Sequence, residues 1–334
     1  MKKILFVTAL QLEFDAVKSY LTDIESVKHP ETGTYYDKGI FLNNNSCEVF
    51  IVEAGAGNTR AAEETSRAIS FFKPNYVFFI GVAGGIKDVA LGDVVASTKV
   101  IGYEMGKSDD VFKPRPDVFQ SSYELEQLAK YVKRESQWKS SLTTNPNSFV
   151  APIAAGEKVV SSTRTETYKQ LKMNVSDALA VEMEGAGFLQ AVRVHSTEGI
   201  VIRGISDLLE YKEEADNSGS QPIAANNAAA FAFQMVTELI KSKDYSLSDL
   251  DDIKFKNRLV EKLSSLYERG PEENNIWKRA GGSIFILTND ENRKSQWYSA
   301  IDILSKGGAG NITLQSLMAE IEKDFPCVWE DMGK

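Results

Sequence analysis

The chain is predicted to be an α/β protein followed by a small all-α domain, and three observations carry that expectation. Strand and helix patterns alternate through roughly the first 240 of the 334 residues, several strands lack a polar face, and the composition changes near Lys243. Alternation of this kind, with strands apolar on both sides, implies a mostly parallel sheet covered by helices on both faces. Hydrophobic residues make up 43% and charged residues 25%, enough for a sizeable core and unlike a collagen-like, disordered or membrane-embedded chain.

The elements follow in order. ILFVTA, from Ile4, is a short apolar strand, and LQLEFDAVKSYL has helical spacing through Leu10, Phe14, Val17 and Leu21. YYDKGIFL and CEVFIVEAG read as paired strands, the second ending in a glycine turn. NTRAAEETSRAISFF predicts a helix capped by Asn58 and stopped by Pro74. YVFFIGVAGG is a fully apolar strand running into a Gly-rich turn, and LGDVVASTKVIGYE gives another strand. Next come a helix in YELEQLAKYVKRE, a strand in FVAPIAAG, and helices in TRTETYKQLK and VEMEGAGFLQAVRV. GIVIRGISD reads as a buried strand, and AANNAAAFAFQMVTELIKSK as a long Ala-rich helix.

Behind these, DYSLSDLDDIK is polar and acidic, as linkers often are. Four short helical patterns follow in LVEKLSSLYERG, NNIWKRAGG, SQWYSAIDILSKGG and LQSLMAEIEKDFP, separated by Gly- and Pro-containing turns. Three of the four tryptophans lie here (Trp277, Trp297, Trp329). The expected division is residues 1–243, a linker at 244–252 and a helical domain at 253–334.

The formal net charge is −9, which offers no broad basic surface to nucleic acid or anionic lipid. No apolar run approaches the roughly 20 residues of a membrane span. The N-terminal MKKILFVTALQLEFDAV turns polar at Gln11, Glu13 and Asp15 without a small-residue cleavage site, so it reads as a first strand of a cytoplasmic protein. Two cysteines (Cys47, Cys327) and two histidines (His29, His195) are too few and too scattered for a zinc site or a disulfide framework. Both histidines fit capping or solvated roles, which leaves carboxylates as the expected catalytic groups.

Three carboxylates stand at strand ends. Glu13 follows the first strand, Glu184 lies in VEMEGAG one residue beyond the Glu182–Met183 pair, and Asp207 ends VIRGISD. Open parallel sheets place ligand sites at the C-terminal ends of their strands, so a common pocket is expected. Other roles fit the same residues: acidic groups in a first helical turn suit the helix dipole, and Ser-Asp is ordinary turn chemistry. The GVAGG turn from Gly81 to Gly85 fits either a tight turn or a backbone brought close to a ligand.

Seven segments in one order, ILFVTALQLEF, VEAGAGNTRAA, FFKPNYVFFIGVAGG, LGDVVASTKVIGYE, PIAAGEKVV, AVEMEGAG and VIRGISD, resemble the nucleoside phosphorylase and nucleosidase superfamily. The likeness covers about residues 1–242 and is greatest to the branch containing methylthioadenosine/S-adenosylhomocysteine nucleosidase. It implies a three-layer α/β/α sandwich with a mixed, partly barrel-like central sheet, assembled as a homodimer or higher homo-oligomer. It also implies roles: Glu13 activates water, Glu184 bonds the ribose hydroxyls, Met183 packs on the sugar, and Asp207 protonates N7 of a purine. Ala83 and Gly84 would line sugar and base, with Glu182 beside them. Breaking an N-glycosidic bond builds positive charge on the ribose and negative charge on the base, which such groups stabilise. No metal or organic cofactor is required.

The phosphorylase branch carries an arginine two residues before the glycine of the central turn, where this chain has Phe79. That points to water as the nucleophile. Methylthioadenosine nucleosidases usually have serine at the position of Val82 and a base-stacking phenylalanine at that of Val159, so the substrate is open between thio-nucleosides and nucleotides. Lys158 and Arg164, with Lys107, Lys113 and Arg115, fit contacts to a 5′-phosphate chain or ordinary solvated charges.

The extended motifs IAAGEKVVSSTR, VEMEGAGFLQA and VIRGISDLLE resemble nucleosidase modules of bacterial conflict systems. The tail resembles the effector-associated domain of type one, a death-fold-like helical adaptor. Together they imply an effector that releases adenine from nucleotides in antiphage defence, recruited by a protein bearing a similar helical domain. A salvage enzyme for methylthioadenosine and S-adenosylhomocysteine is the alternative within the fold, and a non-catalytic nucleotide-binding adaptor is the alternative of another class.

Overall fold

The computed structural model describes residues 2–41, 47–108, 110, 112–140, 142–160, 162–209, 219–241, 247–287, 292–325 and 328–329; Cys327 and the first part of the expected linker lie outside them. The chain forms two compact units, Met1–Ile240 and Lys241–Lys334.

The first unit begins with β1 (Lys2–Thr8), α1 (Gln11–Lys18), β2 (Leu21–Lys28), β3 (Tyr35–Phe41), β4 (Cys47–Glu53) and α2 (Asn58–Phe72). β5 (Tyr76–Gly85), β6 (Val94–Gly102), the short β7 (Gly106–Lys107) and β8 (Lys113–Pro114), β9 (Asp117–Gln120) and α3 (Tyr123–Glu135) follow. It continues with β10 (Ser148–Ala155), α4 (Glu166–Asn174), β11 (Ala180–Glu182), α5 (Gly185–Val194), β12 (Glu198–Leu208) and α6 (Ser220–Lys241).

Ten strands make one sheet in the order β11-β10-β6-β12-β5-β1-β4-β3-β2, with β9 on β6. β11 also pairs antiparallel with β5 through Ala180–Gly85 and Val181–Gly84. That pairing closes β5, β12, β6, β10 and β11 into a ring, the partly barrel-like sheet the resemblance implied. The sheet is mixed: β1 runs parallel to β4 and β5, whereas β12 is antiparallel to β6.

Strands without a polar face follow from burial on both sides. On β1, Ile4 and Phe6 enter the core under α1, α3 and α6, while Leu5 and Val7 enter the core under α2 and α5. Phe6 stacks on Phe78 of β5, with ring centroids 5.3 Å apart. Each such buried side chain contributes roughly 1.5–3 kcal/mol relative to exposure. The Ala-rich run of α6 permits close approach to the sheet, where a Cβ on Gly204 would overlap the Ala224 carbonyl.

Three expectations are corrected: within VEMEGAGFLQAVRV, Val181 and Glu182 belong to the strand β11, and the helix α5 begins only at Gly185. The helix after β1 ends at Lys18, and Leu21 opens β2, an edge strand whose residues Thr22–Ser26 are exposed. An edge strand so exposed carries little apolar alternation for the sequence to reveal. The cap of α2 is Gly57, and Asn58 is its first helical residue.

The second unit packs α7 (Ile253–Leu266), the one-turn α8 (Ile276–Arg279), α9 (Arg293–Ser305) and α10 (Leu314–Asp324) around the fully buried Tyr267, Trp277 and Trp297. Asp252, Asn292 and Thr313 cap α7, α9 and α10 by accepting backbone N–H groups. Among the described residues no helix is long and apolar enough to cross a membrane.

Candidate active site

The C-terminal ends of β1, β5, β11 and β12 converge on one cavity of about 380 Å³. After β1 the chain turns through Ala9 and Leu10 into α1, whose first turn carries Glu13. The Glu13 carboxylate is buried and held by three bonds that leave one lone pair of Oε1 open: Oε2 accepts the N–H groups of Ala9 at 2.8 Å and Leu10 at 3.0 Å, and Oε1 accepts that of Val82 at 2.8 Å. Burial pushes this carboxyl above its usual range, against the pull of Arg203 and the three N–H groups.

β5 supplies the glycine turn. A Cβ on Gly81 would overlap Arg203 Nη1 and lie 2.6 Å from Glu13 Oε1. One on Gly84 would lie 3.1 Å from Asp207 Oδ1 and 3.0 Å from Leu209. These two glycines therefore let side chains from neighbouring segments reach the cavity.

Glu182 ends β11, and its carboxylate accepts the N–H of Glu184 at 3.0 Å and of Gly185 at 2.8 Å. Glu184 caps α5 without a side-chain bond to that helix; its Oε1 accepts the Gly57 N–H at 3.1 Å. β12 contributes Arg203, wholly buried, whose Nη2 donates to Glu182 and, at 3.2 Å, to Glu184 Oε2. Its guanidinium carbon lies 4.4 Å from the Phe79 ring centroid. Burial opposes the charge of Arg203, but Glu182, Glu184 and Glu13 outweigh it and push the guanidinium above its usual range. Three carboxylates face one guanidinium, so the cluster holds more acidic groups than it can neutralise. Burial pushes Glu184 up to about 7, opposed by Arg203 and reinforced by Glu182.

Further along β12 the register to β5 shifts between Ile205 and Asp207, which leaves Ser206 as a bulge. Bulges re-aim side chains, and here the next residue is Asp207, with the Ser206 hydroxyl donating to its Oδ2 at 3.0 Å.

Of the residues expected from the sequence, Glu13, Ala83, Gly84, Lys158, Val159, Glu182, Met183, Glu184 and Asp207 all line this cavity. Arg164 does not: it is exposed, and its backbone N–H bonds Ser162 Oγ at 3.2 Å. Lys107, Lys113 and Arg115 also stand outside the lining. Lys158 pairs with Glu104 at 3.1 Å, and Val159 is 63% exposed, a rim residue with little ring-stacking surface. Sequence reasoning passed over Arg203. Its signal was a lone cation inside the apolar run GIVIRGISD, which has to meet carboxylates to be buried. Ser206 and Gln221 also line the cavity unforeseen.

A buried set of carboxylates organised around one guanidinium, at the strand ends of a partly closed sheet, suits cleavage of an N-glycosidic bond, whose transition state carries positive charge on the sugar. The family model of the phosphorylase superfamily matches residues 3–241, and the chain belongs to that family. It is 29% identical over 248 residues to a 5′-methylthioadenosine/S-adenosylhomocysteine nucleosidase of Desulfotalea psychrophila, covering 71% of this chain and 98% of that one. The solved nucleosidase of Colwellia psychrerythraea, in complex with adenine, is similar at TM-score 0.60 and 26% identity, over 71% of this chain and 96% of that one. Futalosine hydrolase of Helicobacter pylori shares the fold at TM-score 0.58 and 24% identity, over 71% of this chain and 98% of that one.

Proposed function

We propose that the protein hydrolyses the N-glycosidic bond of purine nucleosides or nucleotides, releasing adenine. The observation that carries this reading is the convergence of Glu13, Glu184 and Asp207 on one cavity. In the proposed reaction Glu184 accepts hydrogen bonds from the ribose hydroxyls and Met183 packs against the sugar. Asp207 gives its proton to N7 of the departing base, so that the electrons of the C–N bond leave with a neutral purine. Glu13 takes a proton from the attacking water as the new C–O bond forms at the anomeric carbon. Arg203 holds Glu182 and Glu184 in place. Water rather than phosphate as nucleophile is supported by Arg203, whose charge is already matched by carboxylates, and by the ring of Phe79 in the place of a second cation.

Lys158 at the rim, exposed enough to leave Glu104 for an incoming anion, and the exposed Val159 support a substrate with a 5′-phosphate chain. The thio-nucleosides named for the relatives are the second reading, favoured by the family likeness. We place the activity in antiphage defence, with the four-helix unit docking a similar domain of a partner protein; support for this comes from the sequence of that unit.

The test is base release by chromatography from adenosine, methylthioadenosine, S-adenosylhomocysteine, AMP, ATP and guanosine. Adenine from AMP or ATP supports the nucleotide reading, adenine from the thio-nucleosides alone supports salvage, and no base from any of them overturns the assignment.

A further inference from the structure

The first residue of α2 ties together three segments that build the site. Asn58 Oδ1 accepts the Gly187 N–H at 3.0 Å, in the first turn of α5, the helix that Glu184 caps. Asn58 Nδ2 donates to the Gly156 carbonyl at 3.2 Å and to Glu157 Oε1 at 2.9 Å. Those two residues lead directly into Lys158 and Val159 at the cavity rim. The residue before it, Gly57, stands at φ 104°, a backbone conformation that side chains rarely adopt, and aims its N–H at Glu184 Oε1. α2 and α5 meet here backbone to backbone, since a Cβ on Gly187 would overlap the Asn58 carbonyl. Glu157 is fixed from its other side too, its N–H bonding Glu104 Oε2 at 2.9 Å.

Only a carboxamide fits this position. Gly187 presents a donor, whereas Gly156 and Glu157 each present an acceptor, so the side chain has to accept once and donate twice, which a hydroxyl or a neutral imidazole cannot do. A carboxylate can only accept, and an aliphatic group does neither.

We propose that Asn58 is a positioning residue that couples the carboxylate of Glu184 to the 156–160 rim, so that the sugar and the far end of the substrate are held in one geometry. This rests on the reading of Glu184 as the ribose-binding group. Small displacements of positioning groups are costly to turnover, up to about 100-fold for 1 Å. Releasing Asn58 also loosens the Gly57 N–H, one of the groups that keeps the Glu184 carboxyl down. The acid limb of the pH profile therefore moves to higher pH when Asn58 is lost.

The experiment uses the full chain, with adenosine, methylthioadenosine, S-adenosylhomocysteine, AMP, ATP and guanosine as substrates, and compares N58D, E157L and the double variant N58D/E157Q with the wild type. N58D keeps the shape and the acceptor but loses both donated bonds; kcat/KM is expected to fall about 10-fold and the acid limb to move up. In N58D/E157Q the donor and acceptor of the 58–157 bond are exchanged, and part of that loss is recovered. E157L lies at an exposed position and removes the rim contact alone, so it raises KM without moving the acid limb, and it reads the proposal even if N58D fails to fold. Unchanged KM in E157L, or a folded N58D with wild-type kcat/KM and pH profile, overturns the proposal while leaving the nucleosidase reading intact. A wild type that releases no base overturns that reading, and this proposal with it.

Discussion

Arg203 of β12 lies over the ring of Phe79 on the neighbouring β5, its guanidinium carbon 4.4 Å from the ring centroid, while its Nη2 reaches across to Glu184. The aromatic face supports the cation on one side and the carboxylates neutralise it on the other. The sequence position where a phosphate-binding arginine was expected in phosphorolytic relatives thus holds the platform for a cation that comes from a different strand.

Arg203→Met should remove the common partner of Glu13, Glu182 and Glu184. Breaking a buried ion pair by deleting one member costs about 3–5 kcal/mol, because the other charge stays buried. The expected cost is greatest near pH 8 and smaller near pH 5, where the orphaned carboxylates can take up protons. Chemical unfolding at the two pH values checks this, and an equal loss at both would contradict it.

Glu184 gives a pH dependence whose sign is fixed. Its carboxyl is held at about 7 in the folded protein against an ordinary 4.5, so the folded state keeps a proton that the unfolded state releases. The resulting stability is complete below about pH 4.5 and is lost as pH rises through about 7, a change of the order of 3 kcal/mol. Glu184→Gln should flatten that slope, as measured by urea unfolding from pH 5 to pH 8. It should also abolish turnover, since an amide is a poorer acceptor for two ribose hydroxyls. In the wild type, kcat/KM should rise as pH increases through about 7.

Asp207→Asn should cost about 10²–10⁴ in kcat by removing the proton donor. The Ser206 hydroxyl can still donate to the remaining amide oxygen, so the thermal midpoint should stay close to that of the wild type. Turnover at the wild-type rate would take Asp207 out of the mechanism.

Deleting residues 250–334 should leave base release intact, because every residue assigned to the site precedes Ile240. Chromatography of the truncated protein reads this directly. Loss of release in a truncated protein that remains folded would give the helical unit a part in catalysis.

Much of the fold was legible because burial on both faces leaves a plain mark: Ile4–Val7 and Val77–Ile80 are apolar at every position, as a central strand requires. The edge strand β2 left no such mark, since Thr22–Ser26 face solvent. Closure of the ring through Val181 and Gly84 depends on tertiary pairing between distant segments, which periodicity does not encode. At the site, Glu13, Glu184 and Asp207 were legible as carboxylates at strand ends. Arg203 was not, because within GIVIRGISD it reads as an interruption of a strand rather than as the centre of a cluster. Arg164 was drawn in by its charge alone, and the fold leaves it exposed.

The central claim is cleavage by water, and the sugar product tests it most directly. Wild-type protein would be incubated with a cleavable adenine nucleoside, with and without inorganic phosphate, and the sugar analysed alongside the base. The account predicts free adenine and free reducing sugar at the same rate in both conditions. Release that requires phosphate, with a sugar 1-phosphate as product, would contradict it.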